Sequence, residues 1–435
     1  MPQLKKELTR FDLTMIAIGS MIGSGIFLTP SLIAKELPST YLIFLVWLLG
    51  GVVTLCGALT FAELGSLLPQ AGGVYVFLSE GYGNIFGFLY GWAYFLVVNT
   101  GGIAALSVAF ATYLGYFIPL NSFGIKIVAV SGIIILTYIN ITGVKSGGIF
   151  SDIFTVLKLA GITGLIFIGI VLGSSTHNNF SISNFFNNGL HLQGIGIAMV
   201  GVLWSYGGWQ HATFTAGEAK KPRVDVPIAM IIAAASVTII YVLSNLAYMY
   251  LLPINEIGAS HSLAADSVQT VVGMIGGSLI AIAIFISTFG TAGIYTLTAP
   301  RIYYAMADDG IFFKSVSKIH PKFNTPYNAI LIQSSWAIIL ILFWGTFDNL
   351  ISYVVFTDWI FFGLTAATIF IFRKRKLSSG IGYKTPWYPL TPLFFIAVST
   401  WFVINTLIEK PEQAIAGIIM LGLGVPVYLY WKSKK

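Results

Sequence analysis

Three groups of residues in this sequence carry usable chemistry, and none of them is a bond-breaking site. Two apolar stretches are interrupted by residues that weaken helices, "IGSMIGSGIF" (18–27) and "WSYGGW" (204–209). Two ionisable residues, Lys158 and Asp358, lie deep inside other apolar runs, Lys158 roughly 16 Å from the nearer end at 1.5 Å per residue. Backbone groups freed inside a bilayer cost several kcal/mol unless a ligand, water or neighbouring protein satisfies them, so a helix break at that depth marks a binding site. Past the first break a half-helix begins near Ile26. Its free N–H groups and positive dipole end suit a carboxylate, and Gly23, Ser24 and Gly25 are the expected donors. The half-helices that end near Met21 and Trp204 present orphan carbonyls and negative dipole ends, which suit an ammonium. A ligand with both groups on one carbon fits such a pair of breaks. Glycines also serve close helix packing, but the matched second break favours binding.

Selectivity for the rest of a ligand falls to the residues around the breaks. Trp204 is the expected lid. Tyr206, Trp209, Tyr241 and Ser287 are further pocket candidates, as are Ser20, Ile22 and Gly208 within the breaks and Asp358 toward a distal end. No acidic cluster accompanies the breaks, which argues against polyamines. The five histidines lack metal-ligand spacing, and no nucleophile–base pattern or GxxxxGK[ST] loop is present. The reading therefore assigns no catalytic residue, metal or cofactor, and disfavours an enzyme and an ATP-driven pump. Glu63 and Glu218 read as solvent-side ion pairs closing an inner gate, or as merely solvated ends.

These residues need elements that hold them at membrane depth. Of 435 residues, 56% are hydrophobic and 9% charged, and the apolar runs repeatedly reach the roughly 18 to 20 residues a spanning helix requires. Twelve spans are expected, near 13–35, 41–67, 84–117, 125–142, 148–173, 193–216, 226–252, 268–304, 328–345, 349–372, 390–408 and 413–431. Long continuous runs exclude a β-barrel, whose segments alternate over about ten residues, and leave an all-α integral membrane protein in contact with the lipid bilayer. The first span lacks a small-residue cleavage site and reads as a retained helix. The net charge of +7 does not point to nucleic acid. Lys and Arg concentrate before the first span, at 145, 220–223, 301–322 and 373–384, and at the C-terminus, whereas Lys35, Lys126 and Lys410 fall on the other side. That bias predicts both termini in the cytoplasm. The single cysteine, Cys56, excludes an internal disulfide.

The two breaks are five spans apart, the pattern of two inverted five-helix repeats with a midplane site between broken helices. The division is 1–173, 193–376 and a remainder at 388–435. Together with "FAELGSLLPQAGGVYVFLSEGYG" (61–83), "YINITGVKSGG" (138–148), "LWSYGGWQHATFTAGEAKKPRVDVPIA" (203–229) and "YVLSNLAYMYLLP" (241–253), the breaks identify the chain as similar to the amino acid–polyamine–organocation superfamily. Within it, the chain resembles a bacterial version of the L-type amino acid transporters. The resemblance covers nearly the whole chain. It implies a leucine-transporter-type fold with helices 1 and 6 discontinuous, in a bacterial plasma membrane. It also implies sodium-independent exchange of small neutral L-amino acids of the alanine, serine and cysteine type. It places the substrate amine on the backbone of Met21, Trp204 and Gly207, and puts Lys158 where sodium-coupled relatives hold a cation, bonded near Gly19 and to span eight around Ser287. Animal members carry a cysteine after span three that bonds a heavy chain. "IPLNSFGIK" (118–126) has none, so no disulfide-linked heavy chain is expected. Proton-coupled symport stays open as the alternative to exchange, and a channel as the alternative of another class.

Overall fold

The computed structural model describes residues 4–37, 39–173, 179–180, 192–260, 262–343, 347–376, 382–409 and 411–434. Lys410, Lys435 and the end of the ninth expected span at 344–345 lie outside them. Among the described residues the chain is helical, with a single parallel bridge between Leu8 and Ala219 and no strand. Ten helical segments are long and apolar enough to cross a membrane, and two shorter apolar helices, Gly194–Ser205 and Tyr327–Phe343, lie where the sixth and ninth spans are expected. The sixth is short because its break ends it early. This is a multi-pass, all-α membrane protein.

The first span is two helices, α1 (Arg10–Met21) and α2 (Gly25–Glu36). A capping box starts α1: the Asp12 N–H donates to Thr9 Oγ1 at 3.3 Å and the Thr9 N–H to Asp12 Oδ2 at 2.5 Å. Every residue from Leu13 to Met21 is buried, which places α1 at the centre of the bundle. Around it run α3 (Thr40–Leu67), the short α4 (Val74–Tyr82), α5 (Asn84–Ala93), α6 (Asn99–Leu114), α7 (Ser122–Ile141) and α8 (Val144–Leu172). The third expected span is not one regular helix: a π-helical turn, Tyr94–Val98, separates α5 from α6. Such turns concentrate at functional sites.

The second half holds α9 (Leu192–Ser205), the one-turn α10 (His211–Phe214), α11 (Pro222–Leu251), the short α12 (Ile254–Ala259) and α13 (Leu263–Val272), α14 (Met274–Thr298) and α15 (Pro300–Asp308). α16 (Tyr327–Phe343), α17 (Phe347–Lys374), α18 (Leu390–Glu409) and α19 (Pro411–Ser433) complete it. Pro222 opens α11 where its missing N–H costs nothing. Helix α1 packs on α8, α11 and α14, and α2 on α9, α12 and α13. The outer helices expose apolar side chains, such as Ile127, Ile134 and Ile135 on α7, as a lipid solvent demands.

Candidate functional site

The two interruptions in the sequence are interruptions of helix. Residues 22–24 are non-helical, and α2 starts at Gly25, one residue before the expected position. The Gly23 N–H turns back to Met21 O at 3.1 Å, while Phe27 and Leu28 both donate to Ser24 O. The first N–H groups of α2 consequently have no partner within the helix. Helix α9 stops at Ser205, and residues 206–210 turn before α10. The breaks touch each other: Ser20 Oγ donates to Gly208 O at 2.7 Å. Gly208 has φ +118°, and a Cβ on it would stand 2.6 Å from the Ser20 backbone, so only glycine allows this approach. Tyr241 adds a clamp, its hydroxyl 2.9 Å from both Met21 O and Ser205 O, the carbonyl ends of the two half-helices.

Gly23, Ser24 and Gly25, together with Met21, Trp204 and Gly207, line one cavity with about 290 Å³ of atom-free space, open solvent included. Ser20, Leu106, Ser205, Thr291 and Tyr295 complete its wall. Residues at the start of α2 and at the ends of α1 and α9 thus border a shared space. Two of the glycines here have different reasons. A Cβ on Gly23 would make only ordinary contact, 3.5 Å from Leu106 and 3.7 Å from Thr291. One on Gly25 would stand 2.6 Å from Ser205 Oγ and 3.0 Å from Ser205 Cα, so Gly25 is also required for α2 to meet α9.

Lys158 projects from α8 with no exposed surface. Its ammonium donates to Gly19 O at 2.8 Å, Ile22 O at 2.9 Å and Thr291 Oγ1 at 2.7 Å. Three donors meet three acceptors. The partner on α14 is Thr291, one turn beyond the Ser287 of the sequence reading. Ser287 instead approaches Ile22 O and Gly23 O at 3.2 and 3.0 Å. Ile22 contributes through its carbonyl, and its side chain is buried in the core.

A second cavity, about 420 Å³ of atom-free space, meets the first at Trp204, Gly207 and Tyr295. Asp358 lines it, with Tyr94, Gly208, Gln210, His211, Trp359 and Phe362 among the other residues. Asp358 and Lys158 therefore do not pair; Asp358 Oδ1 is buried without a partner. Trp204 borders both cavities. Tyr206 and Trp209 border neither. Tyr206 donates to Trp47 O at 2.9 Å and packs on Tyr241, and Trp209 lies against Phe61 with ring centroids 4.8 Å apart. Beside the break they build the aromatic wall behind it. Tyr94, His211 and Thr291 escaped the sequence reading. Their only sequence signal is spacing: His211 follows the second break by two residues, and Thr291 follows Ser287 by one helical turn.

Glu63 and Glu218 are not solvated. Both are fully buried. Glu218 takes a two-pronged bond from the equally buried Arg301, at 2.6 and 2.8 Å, and Arg301 also donates to Leu297 O. Glu63 takes Arg373 at 2.9 and 2.7 Å, plus the Thr385 N–H at 2.6 Å. The partners lie 83 and 310 residues away, beyond the reach of local pattern. The segment after the second break is also tied to the N-terminal segment: Glu7 and Leu8 donate to Glu218 O, Lys220 donates to Leu8 O, and Arg10 reaches Asp225 at 2.9 Å.

Residues 8–425 match the amino acid permease family. Over 99% of its length the chain is 34% identical to the serine/threonine exchanger SteT of Bacillus subtilis, covering 98% of that protein. It is 29% identical over 99% of its length to the Homo sapiens large neutral amino acids transporter small subunit 2, covering 82% of it. With the Homo sapiens b(0,+)-type amino acid transporter 1 it shares 28% over 94% of its length and 84% of the relative. On the strength of the paired helix breaks, the helical bundle and these matches, the chain belongs to the amino acid permease family, a family of membrane transporters rather than enzymes.

Proposed function

We propose that this protein is a sodium-independent secondary transporter that exchanges small neutral L-amino acids across a bacterial plasma membrane by alternating access. The observation that carries the reading is the single cavity shared by Gly23, Ser24, Gly25, Met21, Trp204 and Gly207. An α-carboxylate there meets the N–H groups that open α2. An α-ammonium meets the carbonyls at the ends of α1 and α9, which Tyr241 holds together. Ser20, Ile22, Gly208 and Ser287 shape the breaks, Lys158 stands in for a coupling cation, and Asp358 belongs to the distal end of the pocket.

The architecture of this reading has twelve spans, two inverted five-helix repeats (1–173 and 193–376), a remainder at 388–435, and both termini in the cytoplasm. The cluster of buried ion pairs and the tied N-terminal segment lie on the Lys- and Arg-rich side and form its inner gate. The name of the Bacillus subtilis relative supports exchange of small hydroxyl-bearing amino acids, and the bulk of Met21 and Trp204 supports small size. Cys56 lies within α3, half-buried, which fits a protein with no disulfide-linked heavy chain.

Uptake of radiolabelled alanine into liposomes loaded with serine, against empty ones, tests the reading. Loaded vesicles should take up alanine and empty ones should not; equal uptake rejects exchange. The buried ammonium at the break also supports a second reading, proton-coupled symport, for which a pH gradient across empty liposomes should drive accumulation that Lys158→Ala abolishes.

A further inference from the structure

His211 is buried at the edge of the distal cavity, and its ring lies on Tyr295 with centroids 4.6 Å apart and planes 19° from parallel. Both ring nitrogens are engaged. Nδ1 is 2.6 Å from Thr298 Oγ1, and Nε2 is 3.0 Å from the Tyr94 hydroxyl oxygen. Thr298 Oγ1 in turn is 2.8 Å from Ile294 O. Two oxygens that close need a proton between them, and the carbonyl has none to give. The Thr298 proton therefore points at Ile294 O, and Thr298 can only accept from His211. Both partners of the buried ring are uncharged hydroxyls, so it carries one proton, on Nδ1. Nε2 is then an acceptor, and it takes the proton of Tyr94.

We propose that His211 is a positioning residue that fixes the hydrogen-bond polarity of the distal cavity, making it a site for substrate side chains that donate a hydrogen bond. With its proton committed to His211, Tyr94 offers the cavity only lone pairs. A side-chain hydroxyl satisfies that acceptor, a methyl leaves it bare, and an ether oxygen confronts it with a second acceptor. The proposal rests on the exchanger reading and narrows it from small neutral amino acids to those with a donor at the side-chain tip.

Inhibition of serine counterflow in proteoliposomes by three amino acids of similar size tests it: L-threonine, which can donate, L-valine, which can do neither, and O-methyl-L-serine, which can only accept. Threonine should inhibit about fivefold to tenfold more strongly than valine, and O-methylserine no better than valine. His211→Phe keeps a stacked ring but frees the Tyr94 proton to enter the cavity. It should improve O-methylserine about fivefold relative to valine, and adding Tyr94→Phe should erase the gain. A merely structural role for His211 would weaken all three inhibitors together and leave their ratios unchanged, which would overturn the proposal. Should His211→Phe fail to fold, the native protein decides alone: O-methylserine inhibiting as well as threonine rejects the assigned polarity. If no amino acid inhibits and no counterflow occurs, the exchanger reading falls and takes this proposal with it.

Discussion

The three protons of the Lys158 ammonium meet three acceptors on two other helices, so the charge is fully hydrogen-bonded although it is buried. Removing the ammonium strands acceptors at the break, at about 1 to 3 kcal/mol for a buried group left unsatisfied. Lys158→Met should therefore lower stability by about 2 kcal/mol, read as a fall in the unfolding midpoint in detergent, and reduce counterflow at least tenfold. Thr291→Val deletes one acceptor and the hydroxyl that reaches Gly19 O and Ile22 O, and its cost should be nearer 1 kcal/mol. Tyr241→Phe makes a different kind of defect. The phenol clamps two half-helix ends, so its loss should weaken amino acid binding while leaving most of the stability in place, a split that titration calorimetry and thermal unfolding measure separately.

At the scale of the element, two glycines of the breaks predict opposite outcomes. Gly208→Ala must both strain a φ of +118° and push its Cβ into the Ser20 backbone. It should separate the breaks and lower the unfolding midpoint even without substrate. Gly23→Ala adds a methyl in ordinary contact. It should unfold like the native protein when empty, yet lose the stabilisation that alanine gives the native protein, because the methyl occupies ligand space. The breaks themselves were legible in the sequence, since glycine-rich interruptions recur in two apolar runs five spans apart. Their ends at Met21 and Ser205 fall within a residue of the sequence reading. Lys158 was legible as a functional group from its depth alone, whereas its bond to the first break was implied by the family resemblance and not by pattern. Three things were not legible. Register along α14 separates Ser287 from Thr291 by one turn, and both point the same way. The π-helical turn at Tyr94–Val98 depends on tertiary packing and leaves no pattern in composition. Burial of Glu63 and Glu218 requires arginines from distant helices, which no local window contains.

At the scale of the whole molecule, the Glu218–Arg301 pair joins the segment after the second break to α15, and the N-terminal segment is laid along it. Glu218→Gln strands a buried guanidinium and should cost about 3 to 5 kcal/mol, whereas Glu218→Leu combined with Arg301→Met should cost less than either single change; chemical or thermal unfolding of the three variants in detergent checks this. Replacing sodium by choline on both sides of proteoliposomes should leave counterflow unaltered, and sodium stimulation would reject the assigned role of Lys158. That tethered ammonium has a consequence for what the protein can accomplish. A dissolved ion can be more dilute on one side of a membrane than on the other, and its downhill passage can lift a second solute uphill. On the exchanger reading Lys158 keeps its charge throughout the cycle, and an ion covalently attached to the chain has no concentration and no gradient, so it releases nothing on either side and performs no work. As an exchanger, such a carrier changes which amino acids a compartment holds but not how many, and the direction of each trade is set by other proteins that fill and empty the two pools.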